Sequence, residues 1–378
     1  MNAPVDFSVG LTDPACFPSE ELATAAADAV REMGSGFVLY PGTMGHLGLR
    51  EVLAARESRR ESIEVRPEDV ALTNGSMQGV TLVARVLMRA RGDVIVTEEL
   101  TYSGTIKAYR GLGARLMGIP VDRHGMRVDV LEERLEELAA DGVEPRFIYA
   151  LPTYQNPTGT VMPTERRQEL LAAARRFGVL VVEDNCYGDV HFDGDVPPSI
   201  YSMAEPGEVL YLGSLSKIFA AGVRLGYMVG PPCLLEPIVE QRFDAGHSLL
   251  SAAICHAYLK DRLWQHVDVH NSALRRKRDT LVASLAEHGD LWRWLTPVGG
   301  LFLWLELPAE TDLDRLERLA AERGVLYGRG SNFHVDAVDV PCLRLAFGYP
   351  AVEQIPGAIA TLAACVREAA AAPRRATG

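Results

Sequence analysis

Residues 209–226 read VLYLGSLSKIFAAGVRLG. The run Val209-Leu210-Tyr211-Leu212 is apolar without alternation, which predicts a strand covered on both faces. Ser214, Ser216 and Lys217 follow at once among small residues, and Arg224 lies seven positions after the lysine. A lone lysine behind a strand is usually a surface residue on a turn. What surrounds this one in the rest of the chain argues otherwise.

Three further runs have the same character: Val94-Ile95-Val96, Phe147-Ile148-Tyr149-Ala150 and Val179-Leu180-Val181-Val182. Stretches of helical period separate them. One is 164–177, TERRQELLAAARRF, with Thr164 expected as its N-terminal cap after Pro163 and Gly178 as the left-handed residue at its end. Strands alternating with helices predict a mainly parallel sheet in an α/β layer. After about residue 250 the pattern changes. Ala253 to Leu285 is almost continuously helix-compatible. Leu301 to Leu305 and Leu343 to Phe347 then read as strands, each followed by a helical stretch. This predicts a smaller α+β domain.

The 378 residues suit about two domains. The composition, 48% hydrophobic and 23% charged, argues against long disorder. Thirty-eight basic against fifty acidic residues leave a net charge of −12, which disfavours a nucleic-acid backbone as partner. No apolar run reaches the roughly 18 residues of a membrane span, and the first residues lack the pattern of a signal peptide. The six cysteines are scattered, with no C-x-x-C and no nearby histidine pair. They read as reduced thiols in a cytoplasm and not as a metal site. The alanine-rich end from Ala369 to Gly378 reads as a frayed terminus.

Three segments place polar groups beside the predicted strands. Asp184, in Glu183-Asp184-Asn185-Cys186-Tyr187, ends a buried strand, the edge where open α/β sheets bind ligands; a turn aspartate reads equally well from these residues alone. Asn156, in Leu151-Pro152-Thr153-Tyr154-Gln155-Asn156-Pro157-Thr158-Gly159, precedes a proline that biases it towards an extended backbone. Its amide can then point over the sheet edge, although N-P and T-G are also plain turn pairs. Gly75-Ser76 opens a long helix-like stretch. Free N–H groups and the helix dipole would make it a phosphate cradle, and the same pair also marks ordinary helix entries.

N-P-T-G, E-D-x-x-Y, S-x-S-K and R-x-G, in that order, resemble the fold-type I pyridoxal-5′-phosphate enzymes. The chain is most similar to the class I/II aminotransferase family, in the branch of the 2-aminoadipate aminotransferases. The likeness runs from Val5 to Phe347. It implies an α/β large domain over residues 36–255, with a mainly parallel seven-stranded sheet flanked by helices. It implies a small α+β domain from residues 1–35 and 256–378. It also implies pyridoxal 5′-phosphate as cofactor, an L-amino acid and a 2-oxo acid as substrates, and a cytoplasmic homodimer with shared sites.

The resemblance assigns roles to single residues. Lys217 matches the Schiff-base lysine, which burial would make a usable base. Asp184 matches the partner of the pyridine nitrogen, and Tyr187 and Asn156 the donors to the ring oxygen. Tyr102 matches the aromatic plate stacked on the ring. Gly75, Ser76 and Met77 would hold the phosphate through backbone N–H groups, with Ser214, Ser216 and Arg224 completing the contact. Tyr40 matches a tyrosine that reaches the phosphate of the neighbouring subunit. Arg344 matches the arginine that clamps the substrate α-carboxylate, beside Asn156, and Gly10 lies where the N-terminal segment passes over the substrate.

Two departures from the family pattern carry expectations. Arg329, in Tyr327-Gly328-Arg329-Gly330-Ser331-Asn332-Phe333, stands where the family commonly has proline, and faces either the site or solvent. The segment from Leu11 to Leu22 has no arginine to receive a distal carboxylate and carries Asp13, Glu20 and Glu21 instead. A substrate with a neutral or cationic side chain is therefore expected. The same residues would also serve β-elimination, decarboxylation, oxidative deamination or cyclisation. A ligand-sensing domain of a transcription regulator is the reading from another class. It needs a DNA-binding domain and linker ahead of this fold, and the roughly 40 residues before Tyr40 are too few for both.

Overall fold

The computed structural model describes residues 4–370. Its centre is a seven-stranded sheet. Across the sheet the strands run Val70–Thr73, Gly226–Val229, Val209–Ser214, Leu180–Asp184, Phe147–Ala150, Val94–Glu98 and Arg115–Ile119. Only Gly226–Val229 is antiparallel to its neighbours.

The unbroken apolar runs follow from burial on both faces. Ile95, Phe147, Tyr149, Val182, Leu210 and Leu212 pack with Val80, Val83 and Tyr109 of helices Ser76–Leu87 and Ser103–Leu112. Val94, Val96, Ile148, Val181 and Val209 point the other way, onto Leu131, Leu135, Leu170 and Leu171 of helices Val128–Ala140 and Thr164–Phe177. Alternate residues of each strand thus meet a different helix layer, and neither face has room for polar alternation.

Helix Thr164–Phe177 ends at Gly178 with φ 65°, as expected for a left-handed stop. Its start differs from the expectation. Pro163 is the flanking residue, Thr164 already lies inside the helix, and no side chain caps it. Proline has no N–H and holds an extended backbone here, so it takes the flanking place that a threonine cap would need.

The last part of the chain builds a four-stranded antiparallel sheet, Arg293–Trp294, Phe302–Glu306, Cys342–Ala346 and Gly328–Arg329, with helices Leu313–Glu322 and Ile355–Ala370. Near the N-terminus, Val5–Asp6 pairs in parallel with Val325–Leu326. This carries Ser8 and Gly10 to the mouth of the large sheet. One helix, Leu249–Ala286, runs through residue 255 without a break. Ala369 and Ala370 close the last helix, with Ala369 buried. The rest of the alanine-rich end lies outside the described residues.

Candidate active site

The cavity opens at the C-terminal ends of the parallel strands. Asp184 is the last residue of its strand and is buried. Its Oδ2 accepts a hydrogen bond from the Tyr149 hydroxyl at 2.6 Å, and its Oδ1 accepts from the Cys186 N–H at 3.2 Å. Burial pushes the Asp184 carboxyl above the usual range, and these donors work against that shift. No lysine or arginine of the described residues forms an ion pair with it. Lys217 follows the next strand, and its Nζ donates to the Gly10 carbonyl at 2.7 Å. Desolvation lowers the pKa of this amine.

The second wall is the start of helix Ser76–Leu87. Gly75 flanks it with φ 76°, and no side chain caps it. Two glycines make the cradle. A Cβ on Gly75 would fall 2.4 Å from Arg224 Nη2, so only glycine lets the guanidinium lie against the helix entry. A Cβ on Gly226 would fall 2.4 Å from the Ser76 backbone nitrogen. The R-x-G spacing therefore has a steric cause: one residue brings charge to the helix start and the other lets the strand pass beneath it. Ser214 Oγ accepts from the Ser216 N–H at 3.1 Å on the same side.

Arg344 lies across the cavity, in strand Cys342–Ala346. Its guanidinium carbon sits 4.5 Å from the ring centroids of both Phe302 and Phe333. Nη1 donates to Asn156 Oδ1 at 3.0 Å, and Nη2 donates to the Ser8 carbonyl. Its Nε is buried with no hydrogen-bond partner. The Asn156 amide donates to the Tyr187 hydroxyl at 3.4 Å, and Tyr187 meets Phe302 edge-on. Tyr102 flanks the start of helix Ser103–Leu112 and lines the same space.

Of the residues singled out in the sequence, Gly10, Ser76, Met77, Tyr102, Asn156, Asp184, Tyr187, Ser214, Ser216, Lys217, Arg224 and Arg344 line this one cavity. Gly75 does not line it and stands just before the helix start that does. Tyr40 lies outside it and is 82% exposed. Arg329 turns away and pairs with Asp314, Glu317 and Asp339.

The sequence reading missed Tyr149 and Glu98. Tyr149 carries a hydroxyl into an apolar strand, and a buried hydroxyl needs a partner. Glu98 ends its strand fully buried, its Oε1 accepting from the Leu151 N–H at 2.8 Å. Burial pushes its carboxyl to about 8. Among the described residues no group of side chains could hold a metal ion, and no helix is long and apolar enough to cross a membrane.

The sequence matches the family described as aminotransferase class I and II over residues 5–359. It is 34% identical to the 2-aminoadipate transaminase of Thermus thermophilus over 350 residues, covering 91% of this chain and 85% of that one. It is 32% identical to aromatic-amino-acid aminotransferase 1 of Thermococcus litoralis over 368 residues, covering 96% and 88%. Among solved structures, the alpha-aminoadipate aminotransferase of Thermus thermophilus, complexed with N-(5′-phosphopyridoxyl)-L-leucine, superposes with a TM-score of 0.90. That match has 32% identity and covers 97% of this chain and 92% of the other. A buried carboxylate, a lysine and an uncapped glycine-flanked helix around one cavity agree with this kinship: the chain belongs to the class I and II aminotransferases, transferases of fold type I that work with pyridoxal 5′-phosphate.

Proposed function

We propose that this chain moves the amino group of an amino acid with an uncharged side chain to a 2-oxo acid, with Lys217 as the base at Cα. The observation that carries the reading is the convergence of Lys217, Asp184, Arg224 and Arg344 on one cavity. The residues fit the cofactor. A buried carboxylate without an ion pair from the chain suits a protonated ring nitrogen. An uncapped helix start beside Arg224 suits a phosphate. The buried, unpartnered Nε of Arg344 suits an incoming carboxylate.

When bound, pyridoxal 5′-phosphate supplies a carbonyl carbon that takes up the amino nitrogen and a ring that withdraws electrons from Cα. Asp184 would keep the ring nitrogen protonated. Ser76, Met77, Ser214, Ser216 and Arg224 would hold the phosphate. Asn156 and Tyr187 would bond the ring oxygen, and Tyr102 would lie on the ring face. Arg344 orients the substrate by its carboxylate, which fixes the direction of the Cα–H bond. Lys217, its amine made less basic by burial, can take that proton from Cα and deliver it to the carbon on the far side of the amino nitrogen.

Charge supports the substrate class. The three cations lining the cavity, Lys217, Arg224 and Arg344, all have work in this scheme. Asp13 is paired with Lys277 at 3.0 Å, and Glu20 and Glu21 are exposed in the first turn of helix Ser19–Met33. Among the described residues lining the cavity, no charge of either sign is left over for a charged side chain.

The site is completed by a second copy of the chain. Tyr40 and Phe243 are 82% and 89% exposed. Segments 41–42 and 246 touch, and Asp244 bonds Asn74 and Gln78 beside the cradle. This apolar face therefore adjoins the phosphate end, where a partner's tyrosine would enter. The division into a large unit, 36–255, and a small one from the remainder belongs to the same reading. So does a cytoplasmic location, which six unpaired cysteines favour.

The test is to incubate the cofactor-loaded protein with a panel of amino acids. Conversion of the cofactor to its amine form, with stoichiometric keto acid and no ammonia, is expected for uncharged amino acids. Released ammonia or carbon dioxide would point to elimination or decarboxylation. Glutamate as the sole efficient donor would overturn the substrate class. Lys217→Ala should lose the borohydride-trapped link to the cofactor; a link at the same place in that variant would overturn the role of Lys217.

A further inference from the structure

The structure assigns to Tyr149 a positioning role: its hydroxyl aims Asp184 at the cofactor site and ties it to the wall that carries Tyr102. The inference rests on the reading of Asp184 given above. Tyr149 pairs with Val182 on the adjacent parallel strand, so Asp184, two residues further on, lies on the same sheet face. A tyrosine is long enough to span that step. Its hydroxyl, fully buried, has one proton and lies 2.6 Å from Asp184 Oδ2. An ionised carboxylate only accepts, so the proton belongs to the tyrosine.

The hydroxyl then has acceptor capacity left, and Thr105 Oγ1 lies 3.1 Å away to fill it. Thr105 stands in the first turn of helix Ser103–Leu112, and its N–H bonds the Tyr102 carbonyl at 3.0 Å. The chain Thr105, Tyr149, Asp184 thus links two residues meant for the same ring, one against its face and one at its nitrogen. Tyr109 packs edge-on to the Tyr149 ring at 5.7 Å and fixes its orientation. Oδ1 of Asp184 already takes the Cys186 N–H, so Tyr149 is the donor that settles how the second oxygen points.

Tyr149→Phe keeps the packed ring and removes only the hydroxyl. A charge-assisted hydrogen bond of this kind corresponds to an affinity change of about 10- to 100-fold. The variant should raise the dissociation constant of pyridoxal 5′-phosphate from the apoprotein by that factor. It should also lower kcat while leaving KM for the amino donor unchanged, because Arg344 is untouched. Combined with Asp184→Asn, it should add nothing beyond about twofold, since its action passes through the carboxylate. Thr105→Val, which spares the tyrosine, should move the dissociation constant the same way by less, again with no effect in the Asp184→Asn background.

Unchanged cofactor affinity in folded Tyr149→Phe would overturn the inference. So would full additivity with Asp184→Asn. Should Tyr149→Phe fail to fold, the Thr105→Val cycle decides by the same criteria. If Asp184→Asn alone leaves cofactor affinity unchanged, it is the reading of Asp184 that fails.

Discussion

Glu98 gives the sharpest prediction. It is fully buried at the end of its strand. Oε1 accepts from the Leu151 N–H at 2.8 Å, and Oε2 has only Thr101 Oγ1 at 3.5 Å. Burial, with the Asp184 charge nearby, lifts its carboxyl from 4.5 to about 8. Between those two values the folded chain holds a proton that the unfolded chain has released. Stability contributed by this site is therefore present at acid pH and is lost as pH rises, by about 1.36 kcal/mol for each pH unit. Integrated over the interval, the loss reaches about 5 kcal/mol at pH 9 and about 3 kcal/mol at pH 7.

Glu98→Gln removes the titration and keeps the shape. Its Oε1 can still accept from Leu151, and its amide can donate to Thr101. The variant should match the wild type near pH 4 and exceed it increasingly up to pH 9. Glu183, also buried and raised to about 7, titrates in the same window. It is present in both proteins and cancels in the difference. Urea unfolding of the two apoproteins at pH 5, 7 and 9 reads that difference through the midpoints. A difference that stays flat with pH, or shrinks as pH rises, would refute the argument.

Arg344→Lys should cut kcat/KM for the amino acid by about 100-fold, because an ammonium neither forks onto a carboxylate nor stacks between Phe302 and Phe333. Cofactor titration of the same variant should give an unchanged dissociation constant. Arg329→Ala should cost about 1 kcal/mol of stability, less at high salt, since it removes a three-carboxylate network from a side chain 18% exposed; its kcat/KM should equal that of the wild type. Tyr40→Phe should weaken cofactor binding by about tenfold, the worth of one hydrogen bond to a charged group. Mixed with inactive Lys217→Ala chains, it should recover activity in hybrid dimers, and activity equal to the mean of the parents would count against a shared site.

The order of elements and most of the site could be read from the chain itself. Strands such as Val94–Glu98 and Phe147–Ala150 are locally apolar because helices cover both their faces, and that pressure is visible in a single run of residues. Asp184 ends a strand, Lys217 follows one at once and Arg224 leads into one, so a few neighbouring residues carry the signal. The glycines of the cradle stand in short motifs, but their steric need comes from across the chain: Arg224 sets it for Gly75 and Ser76 for Gly226. Other features depend on partners that no local pattern reveals. Arg344 meets Asn156 across 188 positions of chain, Tyr149 meets Asp184 across 35, and Glu98 meets Leu151 across 53. Arg329 could have turned inward or outward until the folded chain set three carboxylates beside it. Strand neighbours and sheet face decide these meetings, so which hydroxyl steadies the carboxylate, and which acid is buried without a counter-charge, is a property of the packed chain alone.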